Sequence, residues 1–195
     1  MPHLSLRIIR EEHAALAAML RSLTLMVERG PKRDTGTFFT VLRAMLFYVD
    51  EFPERLHHPK ETELLFPKLR RSSPEISADL DRLDRDHSKG EASIRELQHL
   101  LLAWEFIGEM RRGAFEGACL RYVKFYLEHM RLEETLILPA AERCLSEAEW
   151  SELDDAFASN RDPLTRQFAP DPAYERLFAT ILLKAPAPIG VGEDV

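Results

Sequence analysis

The sequence predicts an all-α fold. Four long helices would run up-down-up-down as a bundle, followed by short C-terminal helices and an extended tail. Three observations predict it. First, apolar residues recur at alternating steps of three and four over long stretches, the spacing that puts one stripe on one helix face. Second, the stretches are joined by short segments rich in Gly and Pro, which favours antiparallel neighbours. Third, one pattern occurs twice: His57-His58-Pro59-Lys60-Glu61 through Leu64 to Pro67, and His129-Met130-Arg131-Leu132-Glu133 through Leu136 to Pro139. Aligned without a gap, both read His-x-x-x-Glu-x-x-Leu, two apolar residues, then Pro. Each copy is preceded by another His, His13 at 44 residues and His87 at 42. Two similar helical hairpins are the simplest arrangement of such a repeat.

The first helix is expected over 4–29. Its stripe is Leu6, Ile9, His13, Leu16, Leu20, Leu23 and Val27, with His13 the single polar member. Gly30-Pro31 ends it. The second begins at 37 with Phe38, Phe39, Leu42, Met45, Leu46 and Val49. Pro53 and Pro59 predict a kink or break around 52–59, because proline removes a helix donor and its ring collides with the preceding turn. Pro67 predicts a stop. Ser73-Pro74 starts the third helix, expected to run to about Gly113 along Ile76, Leu80, Leu83, His87, Gly90, Ile94, Leu97 and Leu101. Gly90 would leave open space one turn from His87. The fourth, about 114–144, carries Phe115, Cys119, Tyr122, Tyr126, His129, Glu133 and Leu136. Ser146-Glu147-Ala148-Glu149 is a capping box for a short fifth helix. A further helical stretch is expected over 171–184, and the Ala-Pro repeat after it reads as an extended arm. The division is a bundle over 1–145 and a C-terminal extension over 146–195.

At 195 residues, 45% hydrophobic, the chain is long enough to bury a real core. A formal net charge of −7 with no cationic block argues against nucleic acid or an anionic membrane as the main partner. The two cysteines, Cys119 and Cys144, lack metal-ligand spacing and read as thiols. There is no leader pattern or long uncharged apolar run, so the expected location is cytoplasmic.

Helix rise places the histidines at one level. His57 and His129 each lie ten residues before a Pro, roughly 15 Å along the axis. His13 and His87 lie roughly 14 and 20 Å from their helix starts. A His and a Glu four apart share a face, with Cβ atoms about 5–6 Å apart. One His in an apolar seam is ordinary; four at one level, two with a Glu a turn away, point to metal. Two buried carboxylates facing each other without a cation would be costly. The candidate ligands are His13, His57, Glu61, His87, His129 and Glu133. Such a set suits Fe, Mn or Zn, and carboxylates shared between two ions favour iron. His58 has no counterpart in the second copy and reads as a kink or surface residue, so His58→Ala is expected to leave most metal bound. Glu63 and Glu134 read as solvated or supporting groups, and Tyr122 and Tyr126 as core, with Tyr126 within reach of the cluster. A ferritin-like site built from Glu54-x-x-His57 and Glu96-x-x-His99 is the structural rival.

These residues resemble the hemerythrin-like family, specifically its HHE cation-binding branch, over roughly 5–145. The matching residues are His13, His57-His58-Pro59-Lys60-Glu61, His87, and His129 with Glu133-Glu134. The resemblance implies terminal ligands at His13, His57, His87 and His129, and bridging at Glu61 and Glu133. Oxygen-carrying members have a further His where this chain has Leu83, so the resemblance is to the six-ligand branch associated with iron-centre repair, nitric oxide or oxidative stress response, and sensing. The expected cofactor is two iron ions, with Mn or Zn as substitutes. The expected function is binding of, or reaction with, a small oxidant: O2, NO or peroxide. With Leu83 unable to ligate, each iron would keep an open position, which favours reaction over reversible carriage. The alternatives are an iron-handling or sensor module whose tail contacts a partner, and a bundle with a structural metal. A redox partner or a homodimer is the expected macromolecular contact.

Overall fold

The computed structural model describes residues 3–165 and 171–192. Helix α1 is Leu4–Arg29, ended by Gly30 at φ 69°. Helix α2 runs over 35–72 and starts at Asp34, whose side chain accepts from the Thr37 N–H at 2.9 Å. After a single 3-10 turn, α3 is Ser77–Ile107. Helix α4 covers 112–144. The four pack mainly as a ring, α1 on α2 and α4, and α3 on α2 and α4, and the last turns of α2 and α4 also meet each other. The C-terminal helices are α5, Glu147–Ala158, and α6, Glu175–Lys184. The Ser146–Glu149 capping box is present in both directions and starts α5. Helix α5 lies on α1, and α6 on α2.

Three boundaries differ from expectation, each for a local reason. The third helix ends at Gly108, not Gly113. Gly108 has φ 103°, a conformation a side chain would resist, while Gly113 sits inside α4. Neither Pro67 nor the Pro53–Pro59 segment breaks α2. The chain instead widens by one residue per turn over Asp50–His57 and again over Glu61–Leu65. In α4 the same widening spans Glu133–Ile137, before Pro139. In these π-type turns a backbone N–H reaches the carbonyl five residues back: His58 to Pro53, Phe66 to Glu61, and Leu138 to Glu133. The wider turn gives the proline ring room that a regular helix would deny it. Both copies of the repeated motif therefore contain the same π turn, beginning at the same Glu.

The Pro-rich end is docked along α1. Ser22 Oγ donates to the Pro186 carbonyl at 2.7 Å and accepts the Ile189 N–H at 3.0 Å. Among the described residues both cysteines are free thiols, and no helix is long and apolar enough to cross a membrane.

The apolar core is divided in two. One cluster includes Leu16, Leu20, Met45, Val49, Ile94, Leu97, Trp104 and Tyr126. The other includes Leu6, Ile9, Phe66, Leu80, Leu83, Ile137, Trp150 and Phe157. Between them lies a belt of buried polar side chains from all four bundle helices: Glu12, His13, Glu54, His57, His58, Glu61, His87, His129 and Glu133.

Candidate metal centre

The six expected residues meet in this belt. Glu61 and Glu133 are fully buried, and His13, His57, His87 and His129 are all buried. Within α2, Glu61 Oε1 is 3.2 Å from His57 Nε2. Within α4, Glu133 Oε1 is 3.2 Å from His129 Nε2. Both are the i,i+4 pairs that the repeat encodes. Across the bundle, Glu61 Oε2 lies 3.4 Å from His87 Nε2, and Glu133 Oε2 lies 3.4 Å from His13 Nε2. Each carboxylate thus has one oxygen on the His13–His57 side and the other on the His87–His129 side.

His58 is also in the site, which the motif alignment did not foresee. It is 4% exposed, so the surface reading is wrong. Its ring stacks on His87, with centroids 4.3 Å apart and planes 12° apart. Candidate ligand atoms of His58, Glu61, His87 and His129 all lie within 4.8 Å of one another, as do those of His13, His57 and Glu61. Adjacent residues on a regular helix point about 100° apart. Here His57 closes the first π segment of α2 and His58 follows it. One faces the first side of the site and the other faces the second.

Four of the five imidazoles are held from behind by a hydrogen bond at Nδ1. His57 Nδ1 donates to Glu12 Oε2 at 2.6 Å, and His13 Nδ1 to Glu134 Oε1 at 3.1 Å. His58 Nδ1 pairs with Glu54 Oε2 at 3.1 Å and His87 Nδ1 with Thr62 Oγ1 at 2.8 Å. His129 Nδ1 faces Asp86 across 3.7 Å, in ion-pair range but without a hydrogen bond. An imidazole whose Nδ1 carries the proton presents its Nε2 lone pair inward, which is how proteins prepare histidine for a metal.

The inward atoms are short of partners. Both oxygens of Glu61, both oxygens of Glu133 and Nε2 of His57 are buried without a hydrogen bond. His87 Nε2 and His129 Nε2 converge to 3.2 Å, where only one can donate. Buried acceptors are almost always satisfied, so this concentration of orphans marks where a cation fits. The electrostatics agree. Burial alone would raise the Glu61 carboxyl, but His57 and His87 hold it well below the ordinary range. Against the opposite effect of burial, Glu133 and Asp86 push His129 up to about 10. The carboxylates act back on the imidazoles they face: against the lowering effect of burial, they hold His57 well above and His87 above the usual histidine range. His58 is the exception: burial, then the charges of His87, His57 and His129, hold it well below its usual value, in the neutral form that has a lone pair to give.

Glu54 is not part of a ferritin-like pair with His57. It turns to His58, and its Oε1 accepts from Tyr126 at 2.5 Å and Tyr122 at 2.9 Å. Burial pushes its carboxyl up to about 7, against the lowering effect of the two phenols. Glu96 and His99 are exposed on α3. The space beside Gly90 is not open. The Tyr126 hydroxyl fills it, and an added Cβ would land on that hydroxyl and 3.0 Å from Glu54 Oε1.

Sequence reasoning also missed Glu12, Asn160 and the Glu54–His58 partnership. The spacing Glu54-x-x-x-His58 was visible but competed with Glu54-x-x-His57. Nothing local marked Glu12, which reads as an ordinary charged neighbour of His13.

A comparison with curated proteins found no match. The family model for the Hemerythrin HHE cation binding domain matches residues 4–141, which covers the first three bundle helices, α4 up to its last turn, and every histidine and glutamate of the inner site. With that match, and a buried His/Glu cluster that fits a metal cation, the chain belongs to the Hemerythrin HHE cation-binding family.

Proposed function

We propose that the chain is a non-haem di-iron protein that binds or reacts with a small oxidant such as O2, NO or peroxide. The observation that carries the two-ion reading is the orientation of Glu61 and Glu133. Each sends one oxygen to each side of the site, at 3.2–3.4 Å from histidine nitrogens on both. That is how a carboxylate shared by two cations is placed. His13 and His57 would hold one ion. His87 and His129 would hold the other, joined by His58. Bound iron supplies the redox chemistry.

The chain's own residues do the rest. Glu12, Glu134, Thr62 and Glu54 fix the rings and keep Nε2 pointed inward. The two apolar clusters seal the belt from both ends, so a neutral diatomic enters more easily than a hydrated ion. His58 changes the expectation of two equally open ions. The second side gains a third imidazole, supplied by α2 where α3 has Leu83. The His13–His57 side would then hold its ion with two imidazoles, one fewer than the other side.

A second reading has one observation in its favour. The C-terminal extension touches the site through Asn160, so a sensor that reports metal or ligand state through this segment has a physical route. Anaerobic reconstitution with Fe(II), followed by stepwise O2 or NO and optical spectra, tests the proposal. A di-iron charge-transfer band that changes with the gas is expected. A bound metal whose spectrum ignores both gases would leave only a structural role.

A further inference from the structure

Asn160 lies beyond the family-matched region, in the turn after α5, and is 4% exposed. Its Nδ2 donates to Glu12 Oε2 at 3.0 Å. The same oxygen accepts from His57 Nδ1 at 2.6 Å. At its other end, Asn160 Oδ1 accepts from Lys60 Nζ, which also donates to Ser159 Oγ at 2.9 Å. Lys60 sits three residues after His57 on α2. The amide is therefore clamped between a cation and a carboxylate, and only one orientation satisfies both. Phe157 adds an edge contact to the His57 ring, with centroids 5.7 Å apart. Nearby, Asp162 accepts from Tyr48 at 2.6 Å and pins the following turn to α2.

We infer that Asn160 is a positioning residue of the metal centre, so the C-terminal extension completes the His13–His57 side through the chain Asn160–Glu12–His57. The inference rests on the metal-binding reading above. Glu12 has one oxygen engaged by two donors. Without Asn160 that carboxylate keeps one donor and gains rotational freedom, and His57 loses the fixed partner that sets its tautomer and ring angle. Groups behind a ligand typically change metal affinity by about 10–100-fold when removed. Among the described residues no comparable link reaches the other side, whose backing groups, Thr62, Asp86 and Glu54, come from the bundle itself. The effect should fall on one ion of the two.

The test is a Co(II) titration of the metal-free, full-length chain, read by its visible ligand-field bands. Wild type is compared with Asn160→Leu, Asn160→Ala and Asp154→Ala. Asp154 anchors α5 to Ser5 on α1 at 2.7 Å, so its variant controls for loosening of the extension. Both Asn160 variants are expected to weaken one Co(II) by about tenfold or more and alter its band, while the other ion and the Asp154→Ala protein stay as in wild type. Glu12→Gln, which keeps side-chain volume, is expected to weaken the same ion, and it serves if an Asn160 variant fails to fold. Unchanged affinity and spectrum in the Asn160 and Glu12 variants would overturn the inference while leaving the two-metal reading intact. Equal weakening of both ions, shared by Asp154→Ala, would also overturn it. Wild type that takes up no Co(II) would instead bring down the metal-binding reading itself.

Discussion

His58 shows most plainly where sequence spacing stops informing. The gapless alignment of the two motifs favours His57, since Met130 stands opposite His58 in the second copy. The i,i+4 geometry of His57–Glu61 confirms that register, yet His58 is buried against His87 as well. His58→Ala is therefore expected to weaken one of the two ions by more than the roughly 10–100-fold typical of a backing group. His99→Ala, exposed on α3, should leave both ions bound. Metal analysis after dialysis distinguishes them, and retention of two ions by His58→Ala would return that residue to a packing role. Gly90 is a second residue-scale case. Gly90→Ala would force Tyr126 or α3 to move, at a cost of about 1–3 kcal/mol for an overpacked core. Its urea midpoint should fall accordingly.

Asp162 gives a pH prediction. Burial pushes its carboxyl from 3.8 up to about 6, against the hydrogen bond from Tyr48. Between these values the folded chain holds a proton that the unfolded chain has lost. Stability from this group is complete below pH 3.8 and declines as pH rises through about 6. The loss is on the order of 3 kcal/mol. Relative to wild type, Asp162→Asn should gain stability across that window and level off above it, measured by urea unfolding of metal-free protein. A difference that is flat with pH would contradict the assignment.

At the scale of elements, apolar periodicity made the four helices and the ligand faces legible, and the capping box made α5 legible. Pro67 is where sequence and structure part, because a proline in a helix reads as a stop unless the turn before it widens. Pro67 and Pro139 follow π turns that begin at Glu61 and Glu133, and each helix continues to 72 and 144. The widening is a response of the whole turn, with no residue type of its own to announce it. It implies that Pro67 helps to aim Glu61. Pro67→Ala would let Glu61–Leu65 rewind toward a regular helix and rotate the carboxylate. Metal affinity should drop by about tenfold, the lower range for disturbed ligand support, while the metal-free protein loses no stability. Parallel metal titration and thermal melts check this, and unchanged affinity would remove the π turn from the account.

At the scale of the molecule, the polar belt and the C-terminal extension are two parts of one design. Buried charge between two apolar clusters is costly, and it is tolerated here because each carboxylate faces imidazoles on both sides. The second cluster is shared: Trp150, Leu153 and Phe157 of α5 pack with Leu6, Ile9 and Phe66 of the bundle. Phe178 and Ile181 of α6 join the first cluster. Removing 146–195 would expose the bundle surface that these five side chains cover. At about 1.5–3 kcal/mol per buried side chain, the loss rivals a domain's whole stability. A chain ending at 145 is expected to be unfolded or aggregated by circular dichroism and gel filtration. None of this docking could be read from the sequence, because it depends on contacts between residues more than a hundred positions apart, such as Ser5–Asp154 and Glu12–Asn160.

The central claim is a pair of metal ions shared by Glu61 and Glu133. It is tested most directly by the iron content and Mössbauer spectrum of the full-length protein reconstituted without air and then oxidised. The account predicts two irons per chain, spin-coupled into a single diamagnetic ground state. One iron per chain, or two that remain magnetically independent, would contradict it.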